Sequence, residues 1–397
     1  MLKDYDPGDR RPVKFHATIT LLQSLSHISR SVGNEAEFKS LKLTDLTGDS
    51  SEIFVYSGNS LRNGKTGRRS GMMSFFDAVD IDVLKAEHQV FFSGGYLDGA
   101  GVSDLEWENK IRKFFPYLSL IGSAVPSGAL GLKGSTMIPG RIAFGDAYLC
   151  CFEAAEYLYR LFPPALPHDC LEGVQAIAQA KHQWETDRKN AHFEKRQPDE
   201  ALKRQWEEAI AEWLPLLQGK LKLATQYLEY REKPRHPSLK DGNLTKYLRG
   251  ADTPKLKGDK EEAKKATGQM ISGTWTLHPG AQLYSQWASL GSGITDLEEG
   301  ALVDALLKFG ERPYLGGQSG SGCGLCSMEI WYETPDSHGH WLTIAPDGVQ
   351  NLSDRAADTH TRYRELLGAY RQYFEEVKAG QTVESQELRN LLLGGAA

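Results

Sequence analysis

The chain has 397 residues, is 40% hydrophobic and 25% charged, and carries a formal net charge of −6 at pH 7. This composition excludes a disordered or fibrous chain and predicts a globular protein with a sizeable core. The acidic balance excludes a surface that is basic all over, although it leaves room for local basic patches.

Two further features bear on where the protein works. No apolar run approaches the roughly 18 residues that cross a bilayer, and residues 1–16 contain no apolar signal segment. We therefore expect a cytoplasmic protein with no membrane partner. The cysteines show no disulfide-framework spacing, which is typical of a reducing compartment; they are Cys150, Cys151, Cys170, Cys323 and Cys326.

The first 170 residues alternate between predicted strands and helices. Residues 12–23 are rich in β-branched and apolar side chains and predict a long first strand, and residues 50–58 predict a second. We expect a helix over 73–87 and amphipathic helical structure over 104–122. Another strong strand is expected over 141–154.

The middle of the chain changes character. Residues 171 to about 231 have helical periodicity and dense i,i+4 charge pairs, and Pro198 and Pro215 divide them into two or three helices. The stretch from Arg231 to Lys257 then holds eight Lys or Arg against three Asp or Glu, a local balance of +5. It lacks core periodicity and predicts an exposed basic arm or a long hairpin.

The last third returns to strands and helices. A strand is expected at 270–282, a helix with an acidic first turn at 295–309, a glycine-rich loop leading into a strand at 313–334, and a helical tail at 354–393. This order predicts an α+β fold whose central unit is ferredoxin-like, of the β-α-β-β-α-β kind.

The stretch FVYSGNSLRNGKTGRRSG, residues 54–71, carries the first candidate chemistry. A nucleotide phosphate loop needs four residues between its first glycine and the Gly-Lys pair, whereas five separate Gly58 from Gly64, and we expect no apolar helix after it. Two interpretations remain: a surface turn with incidental arginines, or a clamp for a polymer's phosphates. The clamp would use Arg62, Lys65, Arg68 and Arg69 as counter-charges, with Ser57, Asn59 and Ser60 as neutral donors.

A second glycine loop, GGQSGSGCG, spans residues 316–324. It lacks the strand-before, helix-after context of a dinucleotide fold. Its glycines predict close approach of another backbone segment, and Gln318, Ser319 and Ser321 add hydrogen-bonding side chains.

Metal binding and acid–base hydrolysis find little support in the sequence. Cys323 and Cys326 form a CxxC with no second pair at ligand spacing, so buried thiols are favoured over zinc. His338 and His340 lie in a Gly/Ser stretch and are interpreted as solvated loop histidines. No pair of carboxylates stands out, so no hydrolase and no cofactor is predicted. His27 has either a strand-end role or a ligand contact.

Three segments in order resemble the RAMP superfamily, the RNA-binding subunits of CRISPR effector complexes. They are ITLLQSLSHIS with FVYSGNSLRNG, then LIGSAVPSGALGLKGSTMIPGRIAFGDAYL, then MISGTWTLHP with TDLEEGALVDALLKF and YLGGQSGSGCGLCSMEI. The likeness covers about the first 150 residues and residues 268–333. It is strongest to the Cas-seven type backbone subunit of type IV, and next to that of type I-D.

The resemblance implies an RRM-like palm with helical insertions and a basic thumb. The palm would comprise residues 1–170 and 269–350, with a finger-like excursion around 60–120. Residues 171–231 would be a helical insertion, 232–268 the thumb-like arm, and 351–397 a helical tail. Such subunits polymerise along guide RNA as a helical filament, with other effector subunits, and present the RNA for base pairing with a target nucleic acid.

The resemblance also implies RNA-binding residues. His27 and Arg30 fall where the first strand meets RNA, and the 57–69 clamp would hold phosphates. Gly316, Gly317, Gln318 and Ser319 would line the groove from the other side. The thumb candidates, chosen by charge, are Lys240, Lys246, Arg249, Lys255 and Lys257.

One departure from the family bears on catalysis. Type III relatives carry an Asp after the first strand that cuts target RNA, whereas this chain has Glu35 and Glu37 there and no Asp. We therefore expect a non-catalytic subunit. The alternatives are a metal-dependent endoribonuclease of the type III kind and an oligomer without nucleic acid. The sequence leaves open the CRISPR subtype, DNA or RNA as target, and the number of copies.

Overall fold

The computed structural model is mixed α/β, as the sequence predicts. It describes residues 9–32, 35–64, 66–79, 105–125, 136–235, 270–316 and 322–378. No helix within these ranges combines the length and the apolar character needed to cross a membrane.

The described strands are β1 (Lys14–Leu21), β2 (Ile28–Val32), β3 (Glu35–Phe38), β4 (Ser40–Thr44), β5 (Ser50–Tyr56), β6 (Ser123–Val125), β7 (Thr136–Ile138), β8 (Ile142–Phe144), β9 (Ala147–Leu149), β10 (Leu228–Arg235), β11 (Met270–Leu277), β12 (Gln282–Ser289), β13 (Cys326–Glu333), β14 (His338–Ala345) and β15 (Gly348–Leu352). The described helices are α1 (Gly58–Asn63), α2 (Arg68–Val79), α3 (Leu105–Phe114), α4 (Pro116–Ile121), α5 (Ala155–Leu161), α6 (Leu171–Glu194), α7 (Glu200–Lys220), α8 (Asp296–Gly310) and α9 (Asp354–Lys378).

The large sheet has the strand order β15-β14-β13-β1-β12-β9-β5-β4, and β8 also pairs with β12. The central strand β1 is antiparallel to both β12 and β13. Its alternate side chains Phe15, Ala17, Ile19 and Leu21 are fully buried, as expected for a strand with one face on the core. The predicted first strand is therefore confirmed.

Helix α8 crosses from β12 to β13 and lies in the core. It begins with a capping box in which the Thr295 hydroxyl accepts from Glu298 N–H and the Glu298 carboxylate accepts from Thr295 N–H. The buried Glu299 is paired with Arg355 at 2.6 Å and also accepts from the Trp341 indole at 3.1 Å. Helices α2 and α9 pack against α8, so one layer of helices covers the sheet.

A smaller sheet has the order β10-β11-β3-β2. Strands β10 and β11 lie before and after the basic stretch in sequence and pair with each other, so that Arg235 lies opposite Met270 in the antiparallel register. The two ends of segment 236–269 are therefore neighbours. The segment itself, with most of the predicted arm, lies outside the described residues.

Helices α6 and α7 form an antiparallel pair that is anchored at its base. The buried Lys181 ammonium bonds the Glu156 carboxylate at 2.6 Å and also the carbonyl oxygen of Asp45. From α7, the Trp206 indole N–H donates to the Leu46 carbonyl oxygen at 3.2 Å. The predicted break at Pro198 is confirmed, whereas Pro215 lies inside α7 instead of ending it.

Several predicted boundaries are wrong for identifiable reasons. The helical stretch over 104–122 is two helices, because Pro116 lacks an N–H and starts α4. The strand over 141–154 is two strands, β8 and β9, which both pair with β12, with one extra residue between them in the register; at Gly145, in this connection, a Cβ would lie 2.6 Å from the Gln286 carbonyl oxygen. Strand β9 ends at Leu149, so the adjacent cysteines are not in a strand.

Candidate nucleic-acid interface

The 54–71 stretch and the glycine-rich loop at 316–324 meet where β1 and β5 end. The stem of the glycine-rich loop is closed by Leu315 N–H donating to the Gly324 carbonyl oxygen at 2.8 Å. The Gly324 N–H donates to Ser24 just beyond β1 at 2.8 Å, and the Gly316 N–H donates to the Tyr56 hydroxyl at the end of β5 at 3.0 Å. The loop therefore starts beside the 54–71 stretch.

Both stem glycines meet a steric requirement. Gly316 has φ +73°, and a Cβ there would lie 2.7 Å from the Ser26 carbonyl oxygen. Gly324 has φ +90°, and a Cβ would lie 1.9 Å from the Leu315 carbonyl oxygen. The prediction that these glycines let another backbone approach is confirmed for both positions. Gly317, Gln318 and Ser319 lie outside the described residues.

His27 supports the backbone of the predicted clamp. Its Nε2 accepts a hydrogen bond from Ser57 N–H at 3.2 Å, and its ring lies 4.5 Å from the Tyr56 ring. Burial lowers the pKa of His27, the Lys39 cation lowers it further, and Asp146 opposes the shift. A neutral imidazole is the form whose Nε2 can accept, so the strand-end role is the one the contacts support.

Asp146 is a site residue that the sequence analysis missed. Its carboxylate accepts from Gly58 N–H at 2.7 Å and pairs with the Lys39 ammonium at 3.1 Å. It therefore occupies the first free N–H of α1 and neutralises one cation. No motif marks it, because it lies 88 residues from Gly58 in sequence.

The 54–71 stretch is helical rather than a loop. After β5 the chain forms α1, and α2 begins at Arg68 and buries Phe75 and Val79. A helix of mixed polarity therefore follows the motif directly, and it begins before the helix predicted over 73–87. Because Asp146 holds the Gly58 N–H, this geometry differs from the nest of free backbone N–H groups that cradles a nucleotide's phosphates.

Arg68 was predicted as an exposed counter-charge, and the structure places it inside the protein. Its side chain is buried, with the residue 5% exposed. Its Nη1 donates to the Gly122 carbonyl oxygen at 2.8 Å and its Nε to Asn63 Oδ1 at 2.9 Å. Burial lowers the pKa of the guanidinium, although Tyr117 opposes the shift. Arg68 thus positions α1 against the segment after α4.

The other two arginines of the stretch are more accessible to solvent than Arg68. Arg62 is half-buried and uses one nitrogen, Nε, to donate to the Ile121 carbonyl oxygen at 3.0 Å. Arg69 is exposed and makes no ion pair within the described ranges. Asn59 is exposed and accepts from Asn63 Nδ2 at 2.7 Å, which leaves its own amide N–H₂ available. Together with Ser57 and Ser60, these groups form the polar rim.

A groove of about 570 Å³ opens beside this rim, between α1, the β6–β7 hairpin and β8. Asn59 and Arg62 line one wall. The lining also includes Met137, which is 52% exposed, Leu290, which is 47% exposed, and the buried Ile142. This volume and mixture suit a flat, partly apolar ligand with an anionic group. Sequence reasoning missed the groove, because its walls come from four separate segments.

Several predicted RNA-binding residues cannot be placed against this rim. The backbone of Arg30 lies in β2, in the smaller sheet, and its side chain is not described. The remaining predicted residues lie outside the described residues: Lys65, Lys240, Lys246, Arg249, Lys255 and Lys257.

The structure also bears on the metal alternatives. Within the described ranges no three His, Cys, Asp or Glu residues are grouped to hold an ion. His338 and His340 belong to β14 rather than to a loop, and His340 Nε2 bonds the Thr343 hydroxyl at 2.8 Å. Cys323 and Cys326 are buried thiols, as expected.

Comparison with known proteins yields remote likenesses to solved structures, including the two that follow. No protein-family model and no curated protein matches the chain. It is similar to a chain of a Type IV-B CRISPR complex, with 14% identity, coverage of 80% of this chain and 90% of that chain, and a TM-score of 0.43. It is also similar to Csc2 of Thermofilum pendens, with 12% identity, coverage of 95% and 81%, and a TM-score of 0.34.

Both TM-scores lie below 0.5, so neither likeness assigns a function to this chain.

Proposed function

We propose that this protein binds single-stranded guide RNA as a non-catalytic backbone subunit of a CRISPR effector complex. The observation that carries the proposal is the polar rim: Asn59 and Arg62 line the partly apolar groove, Arg69 is exposed on α2, and Tyr56 just before them holds the stem of the glycine-rich loop. Exposed cations and amides suit phosphate oxygens, and an apolar slot suits an unstacked base. The rim thus grips the RNA backbone without reading its sequence.

The strand order supports a ferredoxin-like palm. Strands β13-β1-β12-β9 are neighbours in that order. Because β12 is antiparallel to β1 and to β9, β1 and β9 point the same way, as do β12 and β13. This is the arrangement of a β-α-β-β-α-β unit in which α2 and α8 are the two helices.

The division of the chain follows from this palm. We infer that residues 1–170 and 269–350 form the palm, that 171–231 is a helical insertion, and that 351–397 is a helical tail. The stretch 232–268 is the thumb-like arm, whose excess of cations adds to the RNA surface. Its lysines and arginines, with Lys65 and the glycine-loop residues 317–319, complete the proposed contact set.

The proposed assembly is a filament of copies along the guide RNA, with other effector subunits, that presents the RNA to a target nucleic acid. Glu35 and Glu37 lie on β3, in the segment where type III relatives carry a catalytic Asp. We therefore propose that the subunit holds the target without cutting it. Evenly spaced target-RNA fragments formed with Mg²⁺ would instead support the endoribonuclease.

The test is the salt dependence of RNA affinity. Binding of a 5′-labelled single-stranded RNA to the full chain is measured by fluorescence anisotropy between 50 and 200 mM salt. Each phosphate contact contributes roughly 0.7 to the slope of log K against log salt for single strands. The R62A/R69A variant should therefore bind more weakly and flatten the slope by about 1.4.

The matched control is K42A/K222A, which removes the same charge from exposed positions outside both the 54–71 stretch and the stem of the glycine-rich loop. It should leave both the affinity and the slope near those of the unmodified protein. Equal effects of the two variants, or no effect of R62A/R69A, would contradict the proposed clamp. Loss of binding with an unchanged slope would contradict its electrostatic basis.

A further inference from the structure

The outer end of the α6–α7 pair projects from the protein. Helix α6 has 24 residues, which corresponds to a length of roughly 36 Å. Its first half is buried at positions such as Val174, Ile177 and Lys181, whereas beyond Trp184 the one buried residue of the helix is Ala191. The last two turns of α6, the connection and the first turn of α7 thus form an exposed tip, residues 188–204.

This tip has a defined shape without a ligand. Asp187 pairs with Arg196 and also accepts from Asp199 N–H at 2.7 Å. Asp199 in turn caps α7 by accepting from Ala201 N–H at 2.9 Å. The connection is therefore tied to both helices, and the acidic charge of Asp187 is neutralised inside the tip.

The tip is basic in an acidic protein. Counted with Asp187, which pairs with Arg196, residues 187–204 contain six Lys or Arg and four Asp or Glu, a local balance of +2 in a chain of net charge −6. Four of these cations are exposed or half-exposed and make no ion pair within the described ranges: Arg188, Lys189, Lys195 and Arg204. Unpaired cations concentrated at one projecting point attract polyanions, and their interactions are sensitive to salt.

A single aromatic side chain protrudes among these cations. Phe193 is 83% exposed, the highest fraction among the exposed large hydrophobic residues of the described ranges. Lys189, four residues earlier, lies on the same face of α6, and the His192 ring contacts Phe193 edge-on at 6.1 Å. Proteins that bind the DNA minor groove insert one such apolar wedge between base steps while cations hold the flanking phosphates.

We propose that the α6–α7 tip binds double-stranded DNA, with Arg188, Lys189 and Lys195 on phosphates and Phe193 as a wedge between base pairs. A convex tip suits the groove of a duplex, whereas single strands lie in concave channels. Double-stranded RNA is held across two successive minor grooves, a longer surface than the tip offers. A membrane would require an apolar helix face, and Phe193 stands alone among charged residues. This site is independent of the proposed RNA clamp.

The first experiment measures the electrostatic part. Anisotropy of a labelled 20-base-pair DNA duplex is titrated with the full chain between 50 and 200 mM salt. The R188Q/K189Q/K195Q variant should flatten the slope of log K against log salt by roughly 2.7, at about 0.9 per phosphate. The control K42Q/K222Q/R312Q changes the net charge equally and should leave the slope unchanged.

The second experiment measures the wedge. A duplex that contains 2-aminopurine becomes brighter when a base step is unstacked. The unmodified protein should raise this fluorescence and F193A should not, while F193A keeps the salt slope because it removes no charge. Since Phe193 is exposed, F193A should unfold at the same temperature as the parent protein.

The outcomes separate this site from the RNA clamp. Tip variants should keep single-stranded RNA affinity, and R62A/R69A should keep duplex DNA affinity. Tighter binding to double-stranded RNA than to DNA, or binding to anionic vesicles without binding to DNA, would overturn the proposal. So would equal slopes for the tip variant and its charge-matched control.

Discussion

Replacement of Arg68 by alanine should destabilise the protein, whereas the same change at Arg69 should not. The two residues are adjacent in sequence and chemically identical. Arg68 is 5% exposed and donates to Gly122 and Asn63, while Arg69 is exposed and makes no ion pair within the described part of the chain. The pair is therefore an internal comparison of a buried and a solvated guanidinium.

The magnitude follows from the two hydrogen bonds that R68A removes. A hydrogen bond to a charged group contributes about 1.5–3 kcal/mol, and loss of the donor leaves the buried Gly122 carbonyl oxygen without its partner. Arg68 also lines the groove, so the space it vacates is open to water, which lowers the cost. We expect R68A to reduce the free energy of unfolding by about 2–4 kcal/mol and R69A by less than about 0.5 kcal/mol.

Urea unfolding followed by tryptophan fluorescence measures this difference, with Arg68→Lys as the conservative variant. Lysine keeps the charge but lacks the planar fork that reaches both acceptors, so R68K should fall between the parent protein and R68A. RNA affinity, measured at a temperature where all variants are folded, should decrease for R69A. If R68A and R69A are equally stable, the assignment of Arg68 to the interior is wrong. If R69A leaves the salt slope of RNA binding unchanged, the exposed arginine is not part of the clamp.

Two other predictions test the pH dependence and the backbone. Burial lowers the pKa of His16 despite its hydrogen bond to Glu333, so on acidification the unfolded chain takes up this proton before the folded protein does. The free energy of unfolding should therefore fall as the pH decreases below about 6.5. Urea unfolding at a series of pH values measures this dependence, and H16Q should weaken it. A rise in stability on acidification would contradict the lowered pKa. Gly324→Ala places a Cβ 1.9 Å from the Leu315 carbonyl oxygen at φ +90° and should cost about 1–3 kcal/mol. Limited proteolysis should cleave the glycine-rich loop faster in Gly324→Ala than in the parent protein. The control is Gly280→Ala, where the added Cβ meets open space, and its cleavage rate should equal that of the parent protein. Equal rates for the two variants would contradict the close backbone approach as the cause.

The sequence was sufficient where the signal is local. The β-branched and apolar composition of β1, the acidic first turn of α8 and the helical periodicity of α6 are each contained in a few neighbouring residues. Glycine-rich composition likewise predicted a close backbone approach, and Gly316 and Gly324 meet that requirement. Such patterns are readable because secondary structure and turns impose periodicity and steric limits on adjacent positions.

Local patterns misled where a contact came from elsewhere in the chain. The adjacent arginines 68 and 69 look alike in sequence, and what separates them is an acceptor 54 residues away at Gly122. The close approach at Gly145 likewise depends on Gln286, in a strand more than a hundred residues later. Burial is a property of the assembled layers, and periodicity in a short polar motif carries no information about it.

The sequence by itself determined several of the elements, the mixture of helices and strands, and the residue types of the proposed phosphate clamp: cations, small polar groups and glycines in two separated segments. The tertiary structure decided which of them share a surface. It turned Arg68 inward and left Arg62 and Arg69 outward, placed Asp146 on the Gly58 N–H, and opened a groove whose walls are distant in the chain. The physical reason is that hydrogen-bond satisfaction and exclusion of water depend on non-local packing.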